Sequence, residues 1–209
     1  MQEVEFFTID EEKESKIEVK KSRFLGFAKY IETETQAKGF IDSLRKKYFD
    51  ACHVCYAYIL HDGTIKSSDD GEPSGTAGTP ILDTIKNKNL KDTIIVVVRY
   101  FGGILLGASN LYRAYIDCAK EVMKDIKICK MQKCLVKNIV LSYENYAKFE
   151  NYAKNSKIVI IDRKYGEITN FKIALPVAEM DNILNGAPLE FKKELAKNET
   201  SELFVKAKV

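Results

Sequence analysis

The 209 residues carry 33 basic and 30 acidic side chains, a formal net charge of +3, and 45% hydrophobic residues. That length and apolar content allow one large or two small domains with a real core, and they exclude a disordered charged tail. The near-balance of charge excludes nucleic-acid binding by bulk charge alone, and no apolar run approaches the roughly 18 to 20 residues of a membrane helix.

The opening MQEVEFFTIDEEKESK is acidic and lacks a signal-peptide core, so a cytoplasmic location is expected. Residues 16–31, KIEVKKSRFLGFAKYI, are extended in character, and Gly26 inside the alternating run marks a bulge or a close backbone approach. TETQAKGFIDSLRKKYF follows as a helix capped by Thr33 or Thr35. Ala37, Phe40, Ile41, Leu44 and Phe49 stand near helical spacing, and basic residues fill the last turn. Cys52 to Leu60 reads as a buried strand, HDG as a turn, and Thr64 to Ser68 as a partner strand.

The segment CHVC has the spacing of half a zinc site. There is no second CxxC and there are only two histidines, His53 and His61, so no metal or cofactor is expected there. Cys52, Cys55, Cys118, Cys129 and Cys134 read as reduced thiols.

Next comes SSDDGEPSGTAGTP, with three acids, three glycines, two prolines and five hydroxyl residues in fourteen positions. It leads into a short helix, TPILDTIKNKNL, with Pro80 tolerated in the first turn. Thr93 to Tyr100, TIIVVVRY, is apolar on both faces up to Arg99 and should be a central strand. FGGILLG turns into a second long helix, SNLYRAYIDCAKEVMKD. Ser109 or Asn110 is its candidate cap, and Leu111, Tyr115, Cys118 and Val122 form its apolar stripe.

From about Met131 the pattern starts afresh. LVKNIVLSY is a strand and ENYAKFENYAKNSK a helix; IVIIDRKYG and EITNFKIALPV form a hairpin around Tyr165, Gly166 and Glu167. VAEMDNILNG is a short helix and SELFVKAKV a closing strand. This is the order β-α-β-β-α-β of the split ferredoxin-like unit. The expected fold is therefore mixed α/β (α+β) in two domains, residues 1–130 and 131–209. The second holds 13 basic and 10 acidic residues and so the whole net charge.

The loop has the parts of an anion cradle. Gly71, Gly75 and Gly78 permit tight turns and uncovered amides, Thr76 and Thr79 offer hydroxyls, and a helix N-terminus follows. A bound phosphate or sulfate is one expectation, although no GK[ST] follows and Asp69, Asp70 and Glu72 would repel a bare anion. Arg99 and Arg113 are the candidate cations. Two roles stay open to them: bracing the acids, or joining the loop amides around a ligand.

SRFLGFA, ACHVCYAY, SSDDGEPSGTAGTPIL and VVVRYFGG, followed by an LG and an RAY, together resemble the YigZ/IMPACT family over residues 15 to 125. The pairing of the DDGEP and GTAG segments with RYFGG is highly specific. One departure is LLGASNLYRAY, where Ala108, Ser109 and Asn110 replace the family's usual glycine pair. The resemblance implies a first domain of the ribosomal-protein-type α/β sandwich, like domain IV of elongation factor G. It implies a ferredoxin-like second domain like domain V of that factor. It also implies a translational regulator, since eukaryotic IMPACT competes for the activator protein of the general-control kinase.

The leading expectation is a non-enzymatic binder of the ribosome, RNA or a translation-related protein. The partner surface would comprise Asp69, Asp70, Gly71, Glu72, Pro73, Gly75, Thr76, Ala77, Gly78 and Thr79, with Arg99, Tyr100, Phe101, Gly102, Gly103, Gly107 and Arg113. Lys148, Tyr152, Lys154, Lys157, Arg163 and Lys164 are candidate nucleic-acid contacts. The rivals are an enzyme acting on a phosphorylated small molecule or nucleotide, and a protein-only interaction module.

Overall fold

The computed structural model describes residues 4–166, 169–196 and 201–207. By contacts the chain divides into Phe7–Cys129 and a second unit of Met1–Phe6 with Lys130–Val209. Strand β1 (Glu5–Ile9) therefore starts in the second unit, and sequence pattern did not announce it.

The first unit is built on a five-stranded antiparallel sheet. Its strands are β2 (Lys13–Val19), β3 (Ser22–Tyr30), β4 (His53–Ile59), β5 (Ile65–Ser68) and β6 (Thr93–Tyr100), in the order β2-β3-β6-β4-β5. Helix α1 (Glu34–Lys47) covers one face. Helices α2 (Gly78–Asn87) and α3 (Ala108–Val122) cover the other.

The unbroken apolar run of β6 explains this layering. Ile94, Val96 and Val98 pack toward α1 with Ile41 and Leu44. Ile95 and Val97 pack toward Ile81, Ile85 and Tyr115 on the opposite face. All five β6 side chains are fully buried, each stabilising by roughly 1.5 to 3 kcal/mol.

Local chemistry sets the helix starts. The Thr33 hydroxyl accepts from the Gln36 amide at 3.2 Å, while the Gln36 side chain accepts from the Glu32 amide at 2.6 Å. Phe49 lies beyond α1 and is 86% exposed, so it is not part of the apolar stripe expected from spacing. The N-cap of α3 is Gly107, with φ +78°, and not Ser109 or Asn110. The Asn110 side chain instead donates to the Leu106 carbonyl at 2.9 Å. Gly26 is a close approach and not a bulge: its pairing with β2 is regular, and a Cβ there would sit 2.8 Å from Ser15 Oγ and 3.1 Å from Cys118 Sγ.

The second unit contains β7 (Ile128–Leu141, continuing from the first unit), α4 (Tyr143–Asn155), β8 (Val159–Lys164) and β9 (Thr169–Pro176). A single 3-10 turn, α5 (Met180–Gly186), α6 (Leu189–Ala196) and β10 (Ser201–Lys206) follow. β7 pairs with β10 and β9, and β9 with β8, all antiparallel. The mixed α/β class and the β-α-β-β-α-β order are as expected, with α6 the unforeseen element. Phe149, Phe171 and Phe191 centre its core, with ring centroids 5.2 and 5.4 Å apart. Glu167, in the expected hairpin turn, lies outside the described residues.

Two glycines test the backbone argument in opposite directions. A Cβ on Gly102 would land in the Lys21–Ser22 backbone, whereas one on Gly39, inside α1, meets nothing within 4 Å. Gly39→Ala is expected to stabilise the protein by about 0.5 to 1 kcal/mol. Gly102→Ala is expected to cost about 1 to 3 kcal/mol or more. Urea unfolding of the two variants beside the parent checks both signs.

Candidate functional site

The strand register builds one row of side chains across the first sheet. Arg99 on β6 lies opposite Phe24 on β3 and His53 on β4. The Arg99 guanidinium carbon lies 5.4 Å from the Phe24 ring centroid and 5.8 Å from that of Phe101. Glu72, from the loop after β5, reaches this row: Arg99 donates to Glu72 Oε1 at 2.6 Å, and the Tyr115 hydroxyl of α3 donates to the same oxygen at 2.8 Å. Both ionic side chains are buried, 7% and 3% exposed. Burial, with Cys55 and Glu72 beside it, pushes the Tyr115 phenol up, so the hydroxyl remains a donor.

The other two loop acids are also spoken for. Asp69 turns back on its own loop, where its carboxylate accepts from the amides of Gly75 (2.8 Å), Ala77 (2.9 Å) and Gly78 (2.8 Å). Burial alone would raise its carboxyl, but the Gly75, Gly78 and Ala77 amides outweigh that and hold it below the ordinary aspartate value. Ala77 is the N-cap of α2 and Gly78 its first residue. The amides expected to cradle a phosphate or sulfate are therefore occupied by the protein's own carboxylate. The Thr76 hydroxyl donates to the Pro73 carbonyl at 2.6 Å, and Thr79 is exposed.

Asp70 points elsewhere. Its carboxylate takes Arg45 of α1 at 2.7 Å and the Val54 amide at 2.7 Å. Its carbonyl lies 2.8 Å from His53 Nδ1. A carbonyl only accepts, so Nδ1 carries the proton of that bond. His53 Nε2 then faces Glu72 Oε2 at 3.9 Å. The Cys55 thiol donates to the Asp69 carbonyl at 3.0 Å, and burial pushes it up. Cys52 is exposed, and among the described residues no three potential metal-binding side chains cluster.

The two glycine segments frame one cavity of about 510 Å³. It is lined by Cys52, His53, Glu72, Pro73 and Arg99, and by Phe101, Leu105, Leu106, Gly107, Ala108 and Leu111. Three of the apolar side chains on this segment stand out in solvent: Phe101 at 46%, Ile104 at 43% and Leu105 at 84% exposure.

The expected residues thus fall into three groups. Glu72, Pro73, Arg99, Phe101 and Gly107 meet at the cavity. Gly71, Gly75, Gly78, Gly102 and Gly103 shape the backbone around it. Arg113 does not join them: it is exposed on α3 and forms no ion pair among the described residues. Tyr100 lies on the opposite sheet face, donating to Asp50 at 2.8 Å under the Arg23 guanidinium. His53, Tyr115 and Arg45 were missed from the site. Tyr115 was legible only as an apolar stripe residue, and Arg45 only as a dipole-compensating base.

In the second unit Tyr152 is packed on the core and donates to the Ile183 carbonyl at 2.6 Å, so its ring is not an open stacking platform. Lys157 pairs with Glu179 at 2.6 Å and Arg163 with Glu150 at 3.2 Å. Lys148, Lys154 and Lys164 are exposed.

Comparison with known proteins gives a consistent set of likenesses. The family model for the Impact N-terminal domain matches residues 20–123. The IMPACT family member YvyE of Bacillus subtilis is 38% identical over 80% of this chain and 78% of its own. The IMPACT family member YigZ of Escherichia coli is 30% identical over 78% of this chain and 82% of its own. A crystal structure described as that of an hypothetical protein superposes with a TM-score of 0.65 at 27% identity, covering 88% of this chain and 91% of the other.

The buried pair generates a direct test. Removing one member of a buried ion pair strands the other, so Arg99→Ala and Glu72→Ala should each cost about 3 to 5 kcal/mol. The double variant should cost clearly less than the sum, with a coupling of about 1 to 3 kcal/mol. A urea-denaturation double-mutant cycle measures it, and additive losses would mean that the two side chains do not interact.

Proposed function

The chain belongs to the IMPACT family, and from that premise we propose that it is a non-enzymatic, translation-associated regulator. It acts by binding the ribosome, an RNA or a ribosome-bound protein on the face framed by Pro73, Phe101 and Leu105. The resemblance to eukaryotic IMPACT, a translational regulator, supports the translation setting. One observation carries the choice of binder over enzyme: each loop acid is already engaged by the protein itself, Asp69 and Asp70 through both carboxylate oxygens and Glu72 through Oε1. Asp69 holds three amides, Asp70 an arginine and an amide, and Glu72 an arginine and a phenol.

A carboxylate that is to bind magnesium or move a proton needs lone pairs free for substrate. What this face offers to the outside is apolar side chain, and an exposed apolar patch marks an interaction site. Lys148, Lys154 and Lys164 give the second unit exposed cations that can add contacts to phosphate.

The experiment is capture from the organism's own lysate with the tagged protein and with Leu105→Asp, followed by sequencing of RNA and mass spectrometry. Leu105 is 84% exposed, so its replacement should shift stability by no more than about 0.5 kcal/mol. The parent protein should retain ribosomal particles or a translation factor, and the variant should lose them. Capture that falls about a thousandfold between 50 and 200 mM salt would assign the contact to nucleic acid. Equal capture by both proteins, or nucleotide turnover by the pure protein, would overturn the reading.

A further inference from the structure

We propose that the cavity between the two glycine segments receives one large apolar residue of a partner polypeptide, read through its uncharged main-chain amide. This rests on the partner-binding reading above and specifies its chemistry.

The polar wall leaves one carboxylate oxygen without a protein donor. Glu72 is nine-tenths buried and its two hydrogen bonds both fall on Oε1, which leaves Oε2 with only His53 Nε2 nearby, at 3.9 Å. The Nδ1 proton is committed to the Asp70 carbonyl, so in the neutral ring Nε2 is also an acceptor. At 3.9 Å the ring makes no hydrogen bond to Oε2, so there is room beside that oxygen for a donor from a ligand. An N–H group fits. An anion does not, because it would add a second negative group beside Glu72 Oε2.

Charge narrows the donor further. Arg99 already neutralises Glu72, so the wall carries no net charge to reward an ammonium ion. A neutral amide fits this wall best.

The rest of the lining offers the complementary group. Helix α2 is capped by Asp69, but α3 starts at Gly107 with no side-chain cap. Gly107 and Ala108, at its start, line the same cavity. The first amides of a helix lack an intrahelical acceptor and can donate to a carbonyl oxygen. A peptide group brings both an N–H and a C=O, and no other common neutral group does so as compactly.

The remaining lining, Leu106, Leu111 and the flank of Phe101, is apolar and suits a leucine-sized or aromatic side chain. Exposed Ile104 and Leu105 extend the contact outward beyond what a small molecule would use, which favours a polypeptide.

The test uses the whole protein, labelled with 15N, and three defined probes: N-acetyl-leucinamide, N-acetyl-leucine and acetamide. The amide probe should give saturable shifts centred on Leu106, Gly107 and Ala108 at millimolar concentration. The carboxylate probe should bind at least about fivefold more weakly, because it brings a like charge to Glu72. Acetamide, lacking the side chain, should not saturate. Ala108→Phe, at an exposed position on the cavity mouth, should abolish the shifts. Should that variant fail to fold, the order of the three probes on the parent protein still decides. Absence of saturable shifts up to the solubility limit, shifts elsewhere, or equal or tighter binding of the carboxylate would overturn the proposal. A probe result of either kind is separate from lysate capture, so failure here is distinguishable from failure of the regulatory reading.

Discussion

The carboxylate of Asp69 is the constraint on which the site depends. Three amides, from Gly75, Ala77 and Gly78, converge on it within 2.9 Å. Free amides at a helix N-terminus favour an anion, and here the anion is supplied from within the loop. With Asp69 turned inward, its neighbours are committed to other directions. Asp70, at φ +45°, reaches Arg45 and the Val54 amide, and Glu72 reaches Arg99 and Tyr115. Three acids within four positions thus tie one loop to α1, β4, β6, α3 and its own helix α2. Such a loop presents a fixed cavity wall to a ligand.

The Arg99–Glu72 pair is better understood as a positioning device than as a source of stability. Two charges taken out of water cost several kcal/mol each before their attraction returns anything. Here one carboxylate oxygen takes both strong bonds, and Arg99 Nε has no partner. The geometry is therefore short of the full satisfaction that would make the pair strongly stabilising. What it does supply is direction. It fixes Glu72 against the Phe24, Arg99 and His53 row, and with it the position of Oε2, which takes no donor from the protein.

Much of this was legible in the sequence, for identifiable reasons. β6 is apolar on both faces, which a central strand requires, and it is found between β3 and β4 with helices on each side. The β-α-β-β-α-β order followed from alternating periods of two and 3.6. The role of Asp69 was not legible, because cap rules look three residues ahead and this carboxylate reaches six to nine residues along its loop. The outward position of Arg113 was legible. It lies two residues from both Leu111 and Tyr115, about 200° around the helix from each, so the inward stripe itself places it outside. Tyr115 and Tyr152 were hidden for the opposite reason: each is apolar in pattern, yet carries a hydroxyl that a buried position must satisfy. His53 could be found only through the β4–β6 register, which no local pattern contains.

The central claim is that the loop is folded around its own ionised carboxylate. Carbon-13 NMR titration of the Asp69 carboxyl tests it directly. Its folded-state pKa lies below the unfolded value, so its contribution to stability is fully present above the unfolded pKa. That contribution is lost as pH falls through the folded pKa. The account predicts an Asp69 midpoint below that of an ordinary aspartate, about 3.9. The Gly75, Ala77 and Gly78 amide resonances should move with the same midpoint. A midpoint at or above the ordinary value, with those three amides unresponsive to it, would contradict the account.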